Sequence, residues 1–311
     1  MGKTALTSSL FVLLAAFFWG LIGVFVKGIG QAGLDELEIV TVRVLFSALI
    51  LFMIGMASFR QELKIKWKDC YLFIGTGLLS IAFFNWAFFT AINMLSLSVA
   101  VILLYTAPAF VMVMSVLFLK EKLTLGKIGL LAMTLIGCLL VAGSGGLVGG
   151  GGKLGYVIGL GAGFGYALYS IFGKFALKRY SPFTISFYTF FVASLVLVPS
   201  VRIWEVLPRL LNVEMVMFII GLCGLSTVLA FLLYTEGLKG IESSKASILS
   251  TVEPLTAMLI GILFFGDRIS AVQLVGGVII CFSAMAASFD KGLSWPRKTG
   301  INKEKDHSVN G

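Results

Sequence analysis

The chain has 311 residues, of which 59% are hydrophobic and 13% are charged, with a formal net charge of +9. Soluble domains average about a quarter charged residues, so this composition excludes a water-soluble globule, and the mean hydropathy of +1.02 agrees. The four dispersed Cys and the 36 Gly without a triplet period exclude a disulfide scaffold and collagen. The sequence is that of a membrane protein.

The charge-free runs predict the membrane spans in chain order, because a bilayer core of about 30 Å takes about 20 helical residues. Residues 4–26 form the first run, which is too long for a signal-peptide core and has no clean cleavage site after it. Residues 70–119 suffice for two spans with a break at 93–96, and two further spans hold one charge each, 37–57 with Arg43 and 246–266 with Glu253. The remaining spans are predicted at 128–152, 154–173, 180–201, 215–235 and 269–289, which makes ten helices in an all-α membrane protein.

The distribution of Lys and Arg predicts the orientation. With the N-terminus in the cytoplasm, 18 of the 24 basic residues lie in inside segments, 5 lie outside, and Arg43 lies within a span. We therefore expect a multi-pass protein of the plasma (inner) membrane with both termini cytoplasmic. The positive charge is explained by topology and by contact with membrane lipid, and nucleic acid is not an expected partner. The tail at 291–311, with the lone His307, is expected to be a solvated cytoplasmic end.

An internal repeat appears when the sequence is shifted by 146 or 147 residues. The matching positions are Trp19-Gly20-Leu21 with Tyr166-Ala167-Leu168, Lys27 with Lys174, Leu79-Ser80 with Leu225-Ser226, Pro108 with Pro254, and residues 120–124 with 266–270. The Gly-rich stretch at 143–152 is interpreted as the linker between a first repeat at 1–148 and a second at 149–290. Since each half has five helices, an odd number, the second half must cross the membrane in the opposite sense. Such a 5+5 inverted-topology repeat is typical of secondary transporters.

The motifs of the two halves resemble those of the EamA family of the drug/metabolite transporter superfamily. The resemblance covers residues 8–289 and rests on residues 14–20, on Arg43 within helix 2, on 105–108 and 118–123 in the first half, and on 252–254 and 264–269 in the second. It implies a central cavity and the transport of small metabolites such as amino acids, often as export. Asp267 departs conservatively from the Glu that is commoner in the family.

Glu253 is the first candidate for the mechanism, because an ionisable group about 10 Å deep in a span faces either a cavity or a partner. We hypothesise that it binds and releases a proton or contacts a cationic part of the substrate. The alternative is a structural acid near the backbone freed by Pro254.

Pro108 and Pro254 occupy equivalent points in helices 4 and 9, where the missing N–H bends a helix. These bends either border the substrate site and flex during transport, or they are static kinks.

Arg43 lies near the outer end of helix 2 and approaches from the face opposite to Glu253, so a direct pair is not expected. It either attracts an anionic substrate group or snorkels towards the outer surface.

Polar and aromatic groups inside the spans are candidates for a pocket that stacks a planar solute, with packing as the alternative for each. They are Trp19, Asn85, Tyr105, Tyr166, Tyr169 and Tyr188. For Asn85, hydrogen bonding between helices is the commoner use.

Three small features complete the list. Ser243, Ser247 and Ser250 form a stripe that lines a vestibule or permits close packing, and the Gly stripe at 155, 159 and 163 favours packing. Lys27 and Lys174 are expected to anchor equivalent helices at the membrane interface.

No catalytic set, metal site or cofactor motif is apparent, since no His lies within a span and the Cys are scattered. The sequence therefore predicts a secondary active transporter of a small organic metabolite, an exporter coupled to a proton or solute gradient, acting as a monomer or homodimer. The alternatives are an uncoupled facilitator or exchanger and, from other classes, a membrane-embedded enzyme or a receptor-like binding protein.

Overall fold

The computed structural model describes residues 3–142, 152–267 and 269–289. In this part of the chain ten helices are long and apolar enough to cross a membrane, which confirms the predicted all-α fold. We number them α1 (Ala5–Gly30), α2 (Glu36–Ser58), α3 (Trp67–Met94), α4 (Leu97–Leu119), α5 (Leu125–Ala142), α6 (Lys153–Ala176), α7 (Pro182–Ser200), α8 (Val213–Gly240), α9 (Ser243–Phe265) and α10 (Ala271–Phe289). The Gly-rich linker, apart from Gly152, and the tail at 291–311 lie outside the described residues.

The helix packing has a pseudo-two-fold symmetry that exchanges the first five helices with the last five. Helix α1 packs on α8 and α9, and its equivalent α6 packs on α3 and α4. Likewise, α2 packs on α8, and its equivalent α7 packs on α3. Three further contacts join a helix directly to its own equivalent in the other half: α2 with α7, α4 with α9, and α5 with α10. The two halves are therefore interlocked, and the axis between them runs past α4 and α9.

Helix starts follow the same symmetry. Asp35 begins α2 and its side chain accepts a hydrogen bond from the Glu38 N–H at 2.7 Å. Ser181 stands at the equivalent start of α7, where its Oγ accepts from the Thr184 N–H at 3.2 Å and Pro182 fills the first turn. Both residues satisfy amide groups that a helix start leaves without partners.

Four helices depart from regular α geometry at equivalent places. Segments Gly75–Ala82 of α3 and Gly221–Leu229 of α8 are π-helical. Helix α4 is interrupted between Leu104 and Ala107, and α9 is interrupted at Thr251. Each interruption lies just before a proline, so Pro108 and Pro254 fall in the first turn of the following helical segment, where a missing N–H costs little.

Two glycines allow α3 and α8 to approach their neighbours closely. A Cβ added at Gly75 would lie 2.3 Å from the Phe172 ring of α6, and one added at Gly221 would lie 2.2 Å from the Phe25 ring of α1. The Gly stripe of α6 packs in a similar way against α4, as expected, because a Cβ at Gly159 would lie 2.4 Å from Leu103.

Candidate functional site

A cavity of about 520 Å³, mouth included, lies between the two halves. It is lined by α1, α2 and α3 of the first half and by α6, α8 and α9 of the second. Five of the residues proposed from the sequence line it: Trp19, Arg43, Tyr166, Tyr169 and Glu253.

Glu253 lies deeper than the sequence indicated. Helix α9 begins at Ser243, so Glu253 is about 15 Å along it, near the middle of a bilayer core. Its side chain is half-buried at the cavity, and Oε2 accepts a long hydrogen bond of 3.4 Å from the Tyr166 hydroxyl. Its position on the cavity wall fits a role towards a ligand or a proton.

Arg43 faces the same cavity from α2. Its side chain is buried, with 8% of the residue exposed, so it does not snorkel to the surface. The two charged side chains form no direct ion pair with each other, which leaves both groups facing the cavity.

Three donors on the cavity wall have no hydrogen-bond partner among the described residues. They are Nε1 of Trp19, Nε of Arg43 and the hydroxyl of Ser80. Each belongs to a residue that is less than 9% exposed, and a buried donor without an acceptor costs about 1–3 kcal/mol. A bound molecule that supplies acceptors would remove this cost.

Most of the remaining wall of the cavity is aromatic. The Trp19 ring contacts Phe231 and Tyr234 at centroid distances of 5.2 and 5.1 Å, and Tyr169 meets Phe231 at 5.0 Å. The hydroxyls of two of its tyrosines are hydrogen-bonded: Tyr169 pairs with Thr235 and Tyr234 with Ser170, each at 2.7 Å. This wall offers ring faces and edges to an apolar or planar group.

The interruptions of α4 and α9 meet at a second, smaller cavity of about 310 Å³. Tyr105 and Pro108 line it from α4, Ser250 and Thr251 from α9, and Tyr166 and Glu253 belong to both cavities. The predicted bends thus border the site that holds Glu253. Two threonine hydroxyls bond the carbonyls that precede the interruptions, Thr106 to Leu103 and Thr251 to Ile248, each at 2.6 Å.

Asn85 and Tyr188 do not line either cavity. The Asn85 amide donates to the Ile81 carbonyl of its own helix at 2.7 Å, and the Tyr188 hydroxyl donates to the Leu63 carbonyl at 2.6 Å. Within the described residues no group of three His, Cys, Asp or Glu side chains is placed to hold a metal ion.

The sequence profile of the EamA-like transporter family matches residues 6–143 and again residues 153–289. The chain belongs to this family. As an EamA-like protein it is a multi-pass membrane transporter.

Curated relatives of this EamA-like chain are also named as transporters. An "Uncharacterized transporter" of Archaeoglobus fulgidus is 28% identical over 280 residues, covering 89% of this chain and 94% of the relative. The "Uncharacterized transporter YwfM" of Bacillus subtilis is 28% identical over 289 residues, which cover 90% and 93% of the two chains. The "Uncharacterized inner membrane transporter YicL" of Salmonella typhimurium is 25% identical and covers 93% and 97%.

A solved crystal structure shares the fold of this EamA-like chain. It superimposes with a TM-score of 0.73 over 90% of this chain and 96% of the other, at 16% sequence identity.

The loops between α2 and α3, α4 and α5, α6 and α7, and α8 and α9 lie on one face of the EamA-like fold, which we call the basic face. Polar contacts join the two halves on this face. Buried Asp69 pairs with Arg179 and accepts from the Tyr180 hydroxyl at 2.6 Å, and Glu62 accepts from Ser181. None of these residues was singled out from the sequence, since their partners lie more than a hundred residues away.

A second set of contacts on the basic face joins the ends of α4, α5, α8 and α9. Lys127 forms an ion pair of 2.7 Å with Glu242, with 1% and 7% of the side chains exposed. Glu121, 4% exposed, accepts from the N–H groups of Ser243 and Ser244 at the start of α9, at 2.6 and 3.2 Å. We call Glu121, Lys127, Glu242, Ser243 and Ser244 the basic-face lock.

Two expectations change on this face. Lys174 is wrong as an interface anchor, because it is buried and its Nζ donates to the carbonyls of Leu238 and Ile241 at 2.5 and 2.6 Å, at the end of α8. Its equivalent Lys27 is exposed, with Nζ 3.7 Å from the centre of the Phe265 ring. The serine stripe of α9 is buried in helix packing, and of its three members only Ser250 lines a described cavity, the smaller one.

The opposite face is less tightly joined around α4 and α9. On the basic face Ser243–Ser250 of α9 packs against Ala107–Leu119 of α4. The equivalent segments on the other face, Leu97–Leu104 and Val252–Phe265, have no comparable packing among the described residues. Arg209 contributes an exposed contact between the halves there, with Glu38 at 2.8 Å. The symmetry of the two halves is therefore broken at the axis.

Proposed function

We propose that the protein is a secondary active transporter that exports a small organic metabolite, an amino acid or a related solute, by alternating access. The observation that carries the proposal is the cavity between the halves, which faces the carboxylate of Glu253 near the middle of α9 and the guanidinium of Arg43 nearer the start of α2. In two-repeat transporters the binding site lies at the repeat interface near the midplane. The plasma membrane with both termini cytoplasmic is part of the same proposal, and it places the basic face on the inside.

The chemistry of the cavity favours a substrate with two opposite charges and an apolar body. Arg43, with the unpartnered donors of Trp19 and Ser80, suits a carboxylate. Glu253 suits an ammonium group, and the ring of Trp19 with its aromatic neighbours suits an apolar side chain. A free amino acid combines these three parts.

Glu253 also gives a route to coupling. A carboxylate that holds the substrate ammonium cannot hold a proton at the same time, and a protonated Glu253 no longer attracts a cation. Substrate and proton therefore compete for one group, so that each crosses the membrane in exchange for the other. This is proton antiport, and it uses the gradient across a plasma membrane to export the solute.

The test uses purified protein in proteoliposomes loaded with labelled aromatic and aliphatic amino acids. With an imposed pH gradient, the unaltered protein should move the label against its concentration gradient. Glu253→Gln should lose this response. Its exchange of labelled for unlabelled substrate should continue more weakly, because Arg43 and the aromatic wall remain while the neutral amide attracts the ammonium group less. Glu214→Gln, at an exposed acid on the opposite face, is the matched control and should behave like the unaltered protein.

An undiminished response of Glu253→Gln to the pH gradient would exclude proton coupling through this residue and would favour an uncoupled facilitator or exchanger. Absence of any movement of the amino acids by the unaltered protein would exclude them as substrates.

A further inference from the structure

Glu121 and Asp267 occupy the same position in the two halves. Helices α4 and α9 each end in a residue of left-handed conformation, Lys120 with φ 59° and Gly266 with φ 68°. The acidic residue follows directly, and its N–H donates back into the helix, Glu121 to Ser115 at 3.1 Å and Asp267 to Gly261 at 3.1 Å. The backbone thus presents both carboxylates in the same way, one on each face of the protein.

The two carboxylates nevertheless have different partners. Glu121 holds the first turn of α9 through the N–H groups of Ser243 and Ser244 and through the Ser244 hydroxyl, which donates to Oε2 at 2.5 Å. Asp267 is exposed, lies over Gly261, and makes no side-chain hydrogen bond or ion pair to another described residue.

The start of α4 is the equivalent of the start of α9 to which Glu121 is hydrogen-bonded, and no described acidic side chain is hydrogen-bonded to it. Leu97 and Ser98 of α4 are the equivalents of Ser243 and Ser244, and the shift of 146 residues preserves the second serine. Their N–H groups donate to no described residue, and the Ser96 side chain accepts only from Val99, at 3.4 Å. A helix start with free amide groups favours a negative charge.

We propose that Asp267 is the counterpart of Glu121 in the opposite-facing state, where its carboxylate accepts from the N–H groups of Leu97 and Ser98 and from the Ser98 hydroxyl. This inference rests on the proposed alternating access, in which inverted repeats exchange their conformations. The broken symmetry at α4 and α9 supports it, because these helices pack together on the basic face and not comparably on the other. When the basic face opens, Glu121 releases α9, and the far ends of the same two helices close through Asp267.

The length of the acid contributes to which state is preferred. Asp267 is shorter than Glu121 by one methylene, so its carboxylate reaches less far towards the neighbouring helix start. Together with the ion pairs of the basic face, this difference favours the arrangement that is closed at the basic face. Lengthening the acid with Asp267→Glu should therefore stabilise the arrangement that is closed at the opposite face.

The experiment measures distances between spin labels in lipid nanodiscs. One pair of introduced cysteines, at the exposed Leu123 and Lys239, reports the basic face, and a second pair, at Asn93 and Leu263, reports the opposite face. The accessible native Cys70 and Cys281 are first replaced by serine. Glu121→Gln should lengthen the first distance and shorten the second, raising the population closed at the opposite face by about tenfold or more, since hydrogen bonds to a charged group are lost.

Combining Asp267→Asn with Glu121→Gln tests whether the Asp267 carboxylate closes the opposite face. The double variant should lose the shortening of the Asn93–Leu263 distance, whereas Asp267→Glu should increase it. Ser244→Ala removes one of the hydrogen bonds of Glu121 and should give a smaller shift in the same direction, in case Glu121→Gln unfolds. Glu214→Gln serves as the control.

The inference is overturned if the opposite face closes equally well when residue 267 is Asn, or if Asp267→Glu leaves both distances unchanged. The distances are measured without substrate, so this result stands apart from the liposome assay. Transport of amino acids with unresponsive distances would refute the role of Asp267 alone, and responsive distances without transport would refute the proposed substrate class.

Discussion

Lys127→Met tests how much the basic-face lock contributes to stability. Nζ of Lys127 lies 2.7 Å from Oε2 of Glu242 and donates to the Lys122 carbonyl at 2.6 Å. Methionine fills a similar volume but leaves Glu242 buried without its cation. Breaking a buried ion pair in this way costs about 3–5 kcal/mol, so we expect a clear loss of thermal stability.

The pH dependence of this loss follows from Glu242. Burial raises the pKa of Glu242 above its ordinary value, and the hydrogen bond from Lys127 opposes that effect. In Lys127→Met the opposing hydrogen bond is gone. An acid whose pKa is raised on folding stabilises the fold fully below its unfolded pKa and loses this contribution as the pH rises through the folded pKa. The deficit should therefore be small at an acidic pH near the ordinary pKa of Glu, and larger at a higher pH well above it.

The assay is thermal unfolding in detergent, followed by tryptophan fluorescence. Lys127→Met should melt several degrees below the unaltered protein at the higher pH, and adding Glu242→Gln should restore part of the difference because residue 242 then carries no unpaired charge. Equal melting of Lys127→Met and the unaltered protein at the higher pH would refute the reasoning. So would a double variant less stable than the single one.

Two further predictions concern packing and orientation. Gly75→Ala should lower the melting temperature, because the added Cβ would lie 2.3 Å from Phe172 and overpacking of this kind costs about 1–3 kcal/mol. Gly224→Ala is the control and should leave the melting temperature unchanged, since a Cβ there would meet nothing within 4 Å. Equal melting of both variants would contradict the close approach at Gly75. A fluorescent protein fused after residue 311 should fold and fluoresce in the cytoplasm, and a dark fusion in cells that contain the full-length protein would contradict the orientation given by the basic residues.

The sequence was sufficient for the number and order of the helices, because long charge-free runs leave little choice in a membrane. It also located Arg43 and Glu253, since charges within spans are rare and require a reason. The sequence did not predict which face of each helix points towards the cavity, because most spans carry apolar residues on all faces. Asn85 and Tyr188 therefore looked like Tyr166 in sequence, although only Tyr166 faces the cavity.

The contacts that close the basic face could not be inferred from local patterns. Lys174 looked like an ordinary charge at a helix end, and its burial depends on the end of α8, more than sixty residues away. Glu121 was visible only as part of a repeated motif. Its role needed the packing of α4 against α9, which no spacing along the chain reveals.

The π-helical segments bear on which side chains reach the cavity. Each α-helical residue turns the chain by about 100°, and a π turn accommodates one more residue than an α turn does. Deleting one residue from Gly221–Leu229 would convert a π turn to an α turn and keep Phe231 and Tyr234 on the cavity wall, whereas a deletion in a regular α-helical part of α8 before them would rotate both away by about 100°. Each π-helical segment therefore carries an extra residue without changing the rotation of the helix beyond it, so α3 and α8 tolerate the loss of one residue there better than anywhere else between their starts and the cavity.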